Sequence, residues 1–134
     1  MKNIEKIYDF LKKCGTYYLA TVEGNHARVR PFGTINLYND KLYIQTGKSK
    51  KVSAQLKENP FVEISAMYDG KWIRLSCEVV LDNDYEAQVQ MLEAYPELKS
   101  MYRPNDGNTE VFYLKKGEAQ ICSFNEPPQT IKFK

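Results

Sequence analysis

Residues 61–81, FVEISAMYDGKWIRLSCEVVL, are two alternating runs joined by Asp69-Gly70. Apolar and polar residues alternate in a half-buried strand because successive side chains point to opposite faces. In the second run Ile73, Leu75, Cys77 and Val79 share one face, and Trp72, Arg74, Ser76 and Glu78 share the other. Asp-Gly tolerates the positive φ of a tight hairpin turn. So short a join permits only antiparallel pairing.

The same signature recurs upstream. TYYLATV (16–22) is rich in strand formers, and Glu23-Gly24-Asn25 marks a tight turn. A long second strand over 26–38 contains Pro31, which implies a bulge or an edge position. Asn39-Asp40 is another hairpin turn, leading into a strand over 41–46. Helical spacing appears three times. Ile4, Ile7, Tyr8 and Leu11 form one face of a helix capped by Asn3 and ended by Gly15. Val52 and Leu56 mark a helix over 49–58, stopped at Asn59-Pro60. A third spans 84–95, with Asn83 as N-cap, Glu86 as its partner and Pro96 as the stop.

Residues 97–108 read as a short helical turn and an exposed loop. Residues 111–114 and 119–124 read as a last strand pair around Lys116-Gly117, followed by a tail alternating at Ile131 and Phe133. Seven strands and three helices joined largely by hairpins exclude a doubly wound parallel sheet. They suit a mainly β, α+β fold: a closed antiparallel barrel flanked by helices, in a single domain over 1–134.

Composition narrows the function classes. A net charge of +2 is too small to argue for nucleic acid, and no apolar run is long enough to span a membrane. The N-terminal pattern is amphipathic and is no secretory signal. The three cysteines, Cys14, Cys77 and Cys122, are widely spaced with no C-x-x-C pair. That pattern suits free thiols in a reducing compartment, with the cytoplasm expected, and argues against a metal site.

The chemistry concentrates in 41–60, KLYIQTGKSKKVSAQLKENP. A strand ends at Gly47 and a helix begins among Lys48, Ser49, Lys50 and Lys51. Ammonium groups and a helix N-terminus at one corner suit a phosphate; a solvated lysine cluster is the alternative. Upstream, alternation sets Arg28 and Arg30 on one face, where either can pair bidentately with phosphate, and Val29 on the other. The alternative there is an edge strand guarded by charge and Pro31. Trp72 and Arg74 share a face on a later strand. Either they meet a ligand, or Trp72 packs in an interface and Arg74 pairs with Glu63 or Glu78. His26, the one histidine, sits beside a turn and is expected to be exposed and inactive. Met67, Met91 and Met101 are expected to serve packing.

Four stretches carry a family likeness: YLATVEGNHARVRPF (18–32), YIQTGKSKKVSAQLKENPFVEI (43–64), WIRLSCEVV (72–80) and the tail EPPQTIKF (126–133). Together they resemble the pyridoxamine 5′-phosphate oxidase-like proteins, including the nitroimidazole-resistance reductases. The resemblance implies an antiparallel Greek-key split β-barrel with three flanking helices. It implies a homodimer with two FMN molecules at its interface, each touched by both chains.

On the same ground Gln45 and Thr46 would meet the isoalloxazine edge and ribityl chain. Ser49, Lys50 and Lys51 would meet the phosphate, with the choice between the two lysines open. Arg28, Val29, Arg30 and Pro31 would run under the flavin. Trp72 and Arg74 would approach it across the dimer, with Arg74 tuning the reduced ring. The oxidase reaction itself is not implied, since no extended C-terminal region of the oxidase kind is expected. The expected function is an FMN-dependent oxidoreductase, passing electrons from a reduced nicotinamide or other donor to a small-molecule acceptor. The alternative is a non-catalytic flavin- or haem-binding module, with His26 as a haem ligand.

Overall fold

The computed structural model describes residues 1–134. Its elements, in chain order, are α1 (Asn3–Cys14), β1 (Tyr17–Glu23), β2 (His26–Phe32), β3 (Asn36–Tyr38), β4 (Lys41–Gly47) and α2 (Lys51–Glu58). There follow β5 (Phe61–Tyr68), β6 (Lys71–Asp82), α3 (Tyr85–Ala94), a 3-10 turn (Pro96–Ser100), β7 (Thr109–Cys122) and β8 (Gln129–Phe133). All strand pairs are antiparallel, in the order β2-β1-β5-β6-β7-β4-β3, with β8 added on β7. The meander β5-β6-β7 returns to lie beside β4, which is a Greek key. This is the α+β split barrel.

Several of these expectations change. The barrel is not closed by hydrogen bonds, because β2 and β3 end the sheet path without pairing each other. They are parts of the expected single strand over 26–38, broken at Gly33–Ile35. Side-chain hydroxyls hold that break. Tyr17 Oη donates to the Thr34 carbonyl at 2.5 Å, and Thr34 Oγ1 accepts from the Gln45 amide at 3.1 Å. Tyr95 Oη accepts from the Ile35 amide and donates to the Ile35 carbonyl, both at 3.0 Å. The bend thus replaces ladder bonds with phenols, as buried backbone requires.

The expected strand pair around Lys116-Gly117 is instead one strand, β7. Lys116 does adopt a turn-like φ of 53°, but as a β-bulge. The β6 register shifts there, from Ser76 opposite Glu118 to Glu78 opposite Lys115. Gly117 allows the ring of Phe133 on β8 to lie across it, since a Cβ there would fall 2.1 Å from Phe133 Cε1. At the helix starts, Asp84 rather than Asn83 caps α3, its Oδ2 accepting from the Ala87 amide at 3.0 Å. Asn3 is the first helical residue of α1, and its side-chain Nδ2 donates to the Lys132 carbonyl at 2.9 Å. Finally, α2 begins at Lys51, leaving Ser49 and Lys50 in the preceding turn.

The core lies between the inward face of the sheet and the helices. Leu19, Ile64, Ile73, Leu75, Phe112 and Leu114 meet Ile7 and Leu11 of α1 and Val52 and Leu56 of α2. A smaller cluster pins α3 through Ala87 and Met91 against Tyr43 and Val111. Met91 is buried as expected; Met67 and Met101 are exposed. No helix is long and apolar enough to cross a membrane.

Cys77 faces the core, and burial, reinforced by the nearby Glu63 and Glu78 carboxylates, pushes its thiol up to about 12. At pH 8 it is then roughly one part in ten thousand thiolate. Iodoacetamide at that pH should leave Cys77 unmodified in the native protein while half-buried Cys14 reacts first, as read by peptide mass spectrometry. Equal labelling of the two would contradict the packing described.

Candidate functional site

A cleft of about 240 Å³ opens where β2 ends, β4 gives way to α2, and the 3-10 turn crosses over. Of the residues singled out from sequence, Arg30, Pro31, Gln45, Thr46 and Lys50 line it. The elements explain the convergence. Strand alternation and the edge position of β2 bring Arg30 and Pro31 to the rim. The last residues of β4 supply Gln45 and Thr46, and the turn before α2 supplies Lys50. Phe32 and Val52 add apolar wall.

Pattern reading missed the opposite wall, Leu98, Met101 and Tyr102. They belong to the segment expected to be a short helical turn and an exposed loop; the helical turn is there, as the 3-10 turn Pro96–Ser100. The spacing of Leu98, Met101 and Tyr102 at three and four residues was the available signal, diluted by the charged residues between them.

The two arginines of β2 have different roles. Arg28 is exposed and pairs with Glu23 at 2.9 Å. Arg30 is half-buried and belongs to a network joining β1, β2 and α2. Its Nη1 donates to the Leu19 carbonyl at 3.1 Å and to Thr21 Oγ1 at 2.8 Å; its Nη2 donates to Gln55 Oε1 at 2.6 Å. Thr21 Oγ1 also donates to that Gln55 oxygen, at 2.5 Å. The network leaves the guanidinium Nε and one Nη2 hydrogen without an intrachain acceptor.

The corner at 47–51 is only partly an amide cradle. Lys48 N–H donates to the Asn108 carbonyl at 2.7 Å, Ser49 N–H to Asn108 Oδ1 at 3.1 Å, and Lys50 N–H to the Gly47 carbonyl at 3.0 Å. Those donors are spent inside the chain. The Lys51 and Val52 amides, first in α2, have no helical partner and remain available with the helix dipole. Asn108 is itself held by Asp106, whose Oδ1 accepts from the Asn108 amide at 2.8 Å. Asp106 collects further bonds from the Arg103 and Thr109 amides. These bonds outweigh desolvation and hold its carboxyl well below the usual range.

The remaining candidates lie elsewhere. Ser49 and Lys51 are exposed beside the corner without lining the cleft. Val29 is on the outer face of the sheet, 67% exposed; Tyr18, Phe61 and Met67 are exposed on that face too. Trp72 and Arg74 are on that outer face too. Trp72 packs against Phe124, with ring centroids 5.1 Å apart. Arg74 pairs with neither expected carboxylate, because Glu63 accepts from Ser76 Oγ and Glu78 pairs with Lys116 at 3.6 Å. Arg74 instead borders a polar hollow with Glu63, Ser76, Glu118 and Gln120. His26 is exposed at the β1–β2 turn and does not border the cleft.

The donor set is lopsided: cations, hydroxyls and helix amides at one end, apolar side chains along the walls. It suits an anionic ligand with a flat apolar part. At about 240 Å³ it is smaller than the roughly 300–1,000 Å³ of a site enclosing a whole ligand.

A family model described as pyridoxamine 5′-phosphate oxidase matches residues 4–121. The crystal structure of a NimC/NimA family protein from Clostridium acetobutylicum is 46% identical, covering 99% of this chain and 95% of that one, with a TM-score of 0.95. Two more distant structures share the fold alone. A heme binding protein from Mycobacterium smegmatis is 11% identical, with a TM-score of 0.77, covering 98% of this chain and 58% of that one. A FAD-binding protein from Mesorhizobium loti is 12% identical, with a TM-score of 0.65, covering 89% of this chain and 94% of that one. No curated protein matches the sequence.

Proposed function

This chain belongs to the pyridoxamine 5′-phosphate oxidase family, and from that premise we propose that it is an FMN-binding oxidoreductase. Electrons pass from a reduced nicotinamide or other donor to a small-molecule acceptor. The observation that carries the reading is the meeting of Lys50, the α2 N-terminus, Thr46, Gln45 and Arg30 around one apolar-walled cleft. When bound, the flavin supplies the redox chemistry. The chain's own residues bind and orient. Lys50 with the Lys51 and Val52 amides attracts the phosphate, and Phe32, Val52, Leu98 and Met101 exclude water from the apolar part.

A homodimer completes the site in this reading. Its support is the small volume of the cleft on one chain and the apolar residues that the outer face leaves exposed, Tyr18, Val29, Phe61 and Met67. Val29, Trp72 and Arg74 would then act from that face, across the interface. Three free cysteines support a reducing compartment, the cytoplasm, as the setting. A haem held by His26 is not favoured, because that side chain stands away from the cleft.

The test is a visible spectrum of the purified protein, followed by titration with FMN and mixing with NADH or NADPH. Yellow flavin bands, or binding of added FMN, and bleaching by a nicotinamide are expected. Failure to bind FMN ends the flavin reading; binding without reduction leaves the non-catalytic alternative.

The lysines can be separated. Lys50→Ala should weaken FMN binding about tenfold, the order of one charge-assisted bond. Lys51→Ala should change it less than about threefold, since its side chain does not line the cleft and its amide is unaffected. Fluorescence titration of each variant reads this directly, and the reverse ranking would move the phosphate toward the solvent side of the turn.

A further inference from the structure

Three tyrosines of the chain are buried: Tyr17, Tyr43 and Tyr102. A buried phenol ordinarily finds a partner. Tyr17 donates to the Thr34 carbonyl, and Tyr43 to Asp82 Oδ2 at 2.7 Å. Tyr102 is 7% exposed, and its hydroxyl has no partner within the chain. Nor is that oxygen sealed away, since no fully occluded side-chain polar atom lacks a partner. Tyr102 lines the cleft that Lys50 and Thr46 also line.

The hydroxyl is held at the corner itself. A Cβ built on Gly47 would meet Tyr102 Oη at 3.0 Å and Cε1 at 3.3 Å, so the bare glycine is what admits the phenol. The ring is set by its backbone, with the Tyr102 amide donating to the Leu98 carbonyl at 2.9 Å at the end of the 3-10 turn. The neighbouring amides of Lys48, Ser49 and Lys50 are already used. An anion at this corner therefore lacks the donors that a glycine-rich turn would have offered, and a phenolic O–H stands in their place.

We propose that Tyr102 is a ligand-binding residue whose hydroxyl donates to a phosphate-monoester oxygen, so that this wall of the cleft reads the phosphate of the flavin. The proposal rests on the FMN reading above and adds to it a donor from the segment after α3. It also gives a role to half-buried Leu98 on the same wall, which limits the access of water to the bond and so strengthens it.

The experiment compares FMN with riboflavin, which lacks the phosphate, by fluorescence titration of the full-length protein and of Tyr102→Phe. Loss of a bond to a charged acceptor predicts at least about tenfold weaker FMN binding, with riboflavin binding unchanged. Gly47→Ala, whose Cβ would crowd both the hydroxyl and Asn108 Nδ2 while keeping them, should give the same selective loss and serves if Tyr102→Phe folds poorly. Unchanged FMN binding in both variants overturns the proposal while leaving the FMN reading intact. Equal losses for FMN and riboflavin also overturn it, by placing the hydroxyl away from the phosphate. If the unaltered protein binds neither flavin, the FMN reading itself fails and this inference with it.

Discussion

Arg30→Ala should lower stability by about 1.5–3 kcal/mol and also weaken FMN binding at least about tenfold. The stability loss follows from what the guanidinium holds. It donates to the Leu19 carbonyl, Thr21 Oγ1 and Gln55 Oε1, and Gln55 and Thr21 are both buried. Removing it leaves those acceptors short of a charged donor, a change worth about 1.5–3 kcal/mol. It also loosens the tie that fixes α2, and with it Lys50, against β1. Arg30→Lys should not rescue, since one ammonium cannot reproduce a planar fork spanning three acceptors. Arg28→Ala is the internal contrast: its pair with Glu23 is exposed and screened by solvent, so the midpoint should hardly move. Urea unfolding of the three variants, read as midpoint at constant slope, decides the stability part. Equal midpoints for Arg28→Ala and Arg30→Ala would remove the network from the account.

Tyr95→Phe should cost about 2–4 kcal/mol, although it deletes one oxygen and no hydrocarbon. That oxygen serves both backbone groups of Ile35, a residue only 2% exposed, and accepts from Lys12 Nζ at 3.2 Å besides. Without it a buried N–H and a buried C=O lose their partner, each at about 1–3 kcal/mol. The bend they belong to carries Gly33 and Thr34 into the cleft. The variant should therefore bind FMN more weakly even under conditions where it is fully folded. A variant as stable as the parent would mean that water, or another group, satisfies Ile35.

How much of this was legible beforehand depended on the range of the forces involved. The turns at Asn39-Asp40 and Asp69-Gly70 were readable because their chemistry is local, and these residues do carry positive φ. Lys116-Gly117 has similar local chemistry and became a bulge, because β6 and β8 hold both sides of β7 in register. The break at Gly33–Ile35 was hidden for the same reason. The hydroxyls that hold it come from Tyr17 and Tyr95, remote in sequence from the bend.

The site divides in the same way. The β4–α2 corner was visible as a lysine-rich turn at a helix start. That Asn108 would consume two of its amides was not visible, nor that Tyr102 would face it. Arg28 and Arg30 looked equivalent by alternation, and only the packing of α2 through Gln55 distinguishes them.

The open ends of the sheet have a consequence for motion. β6 and β7 are paired along both edges over much of their length, whereas β2 and β3 are each paired on one side only. Amide exchange should follow that gradient. The β6–β7 ladder should open only with global unfolding, and the outer edges of β2 and β3 by local fluctuation. The cleft sits at the fast-exchanging end, held to the slow one by two phenols and one guanidinium. A ligand that bridges β2 to the α2 corner would slow exchange most at residues 28–35, far more than in the central strands.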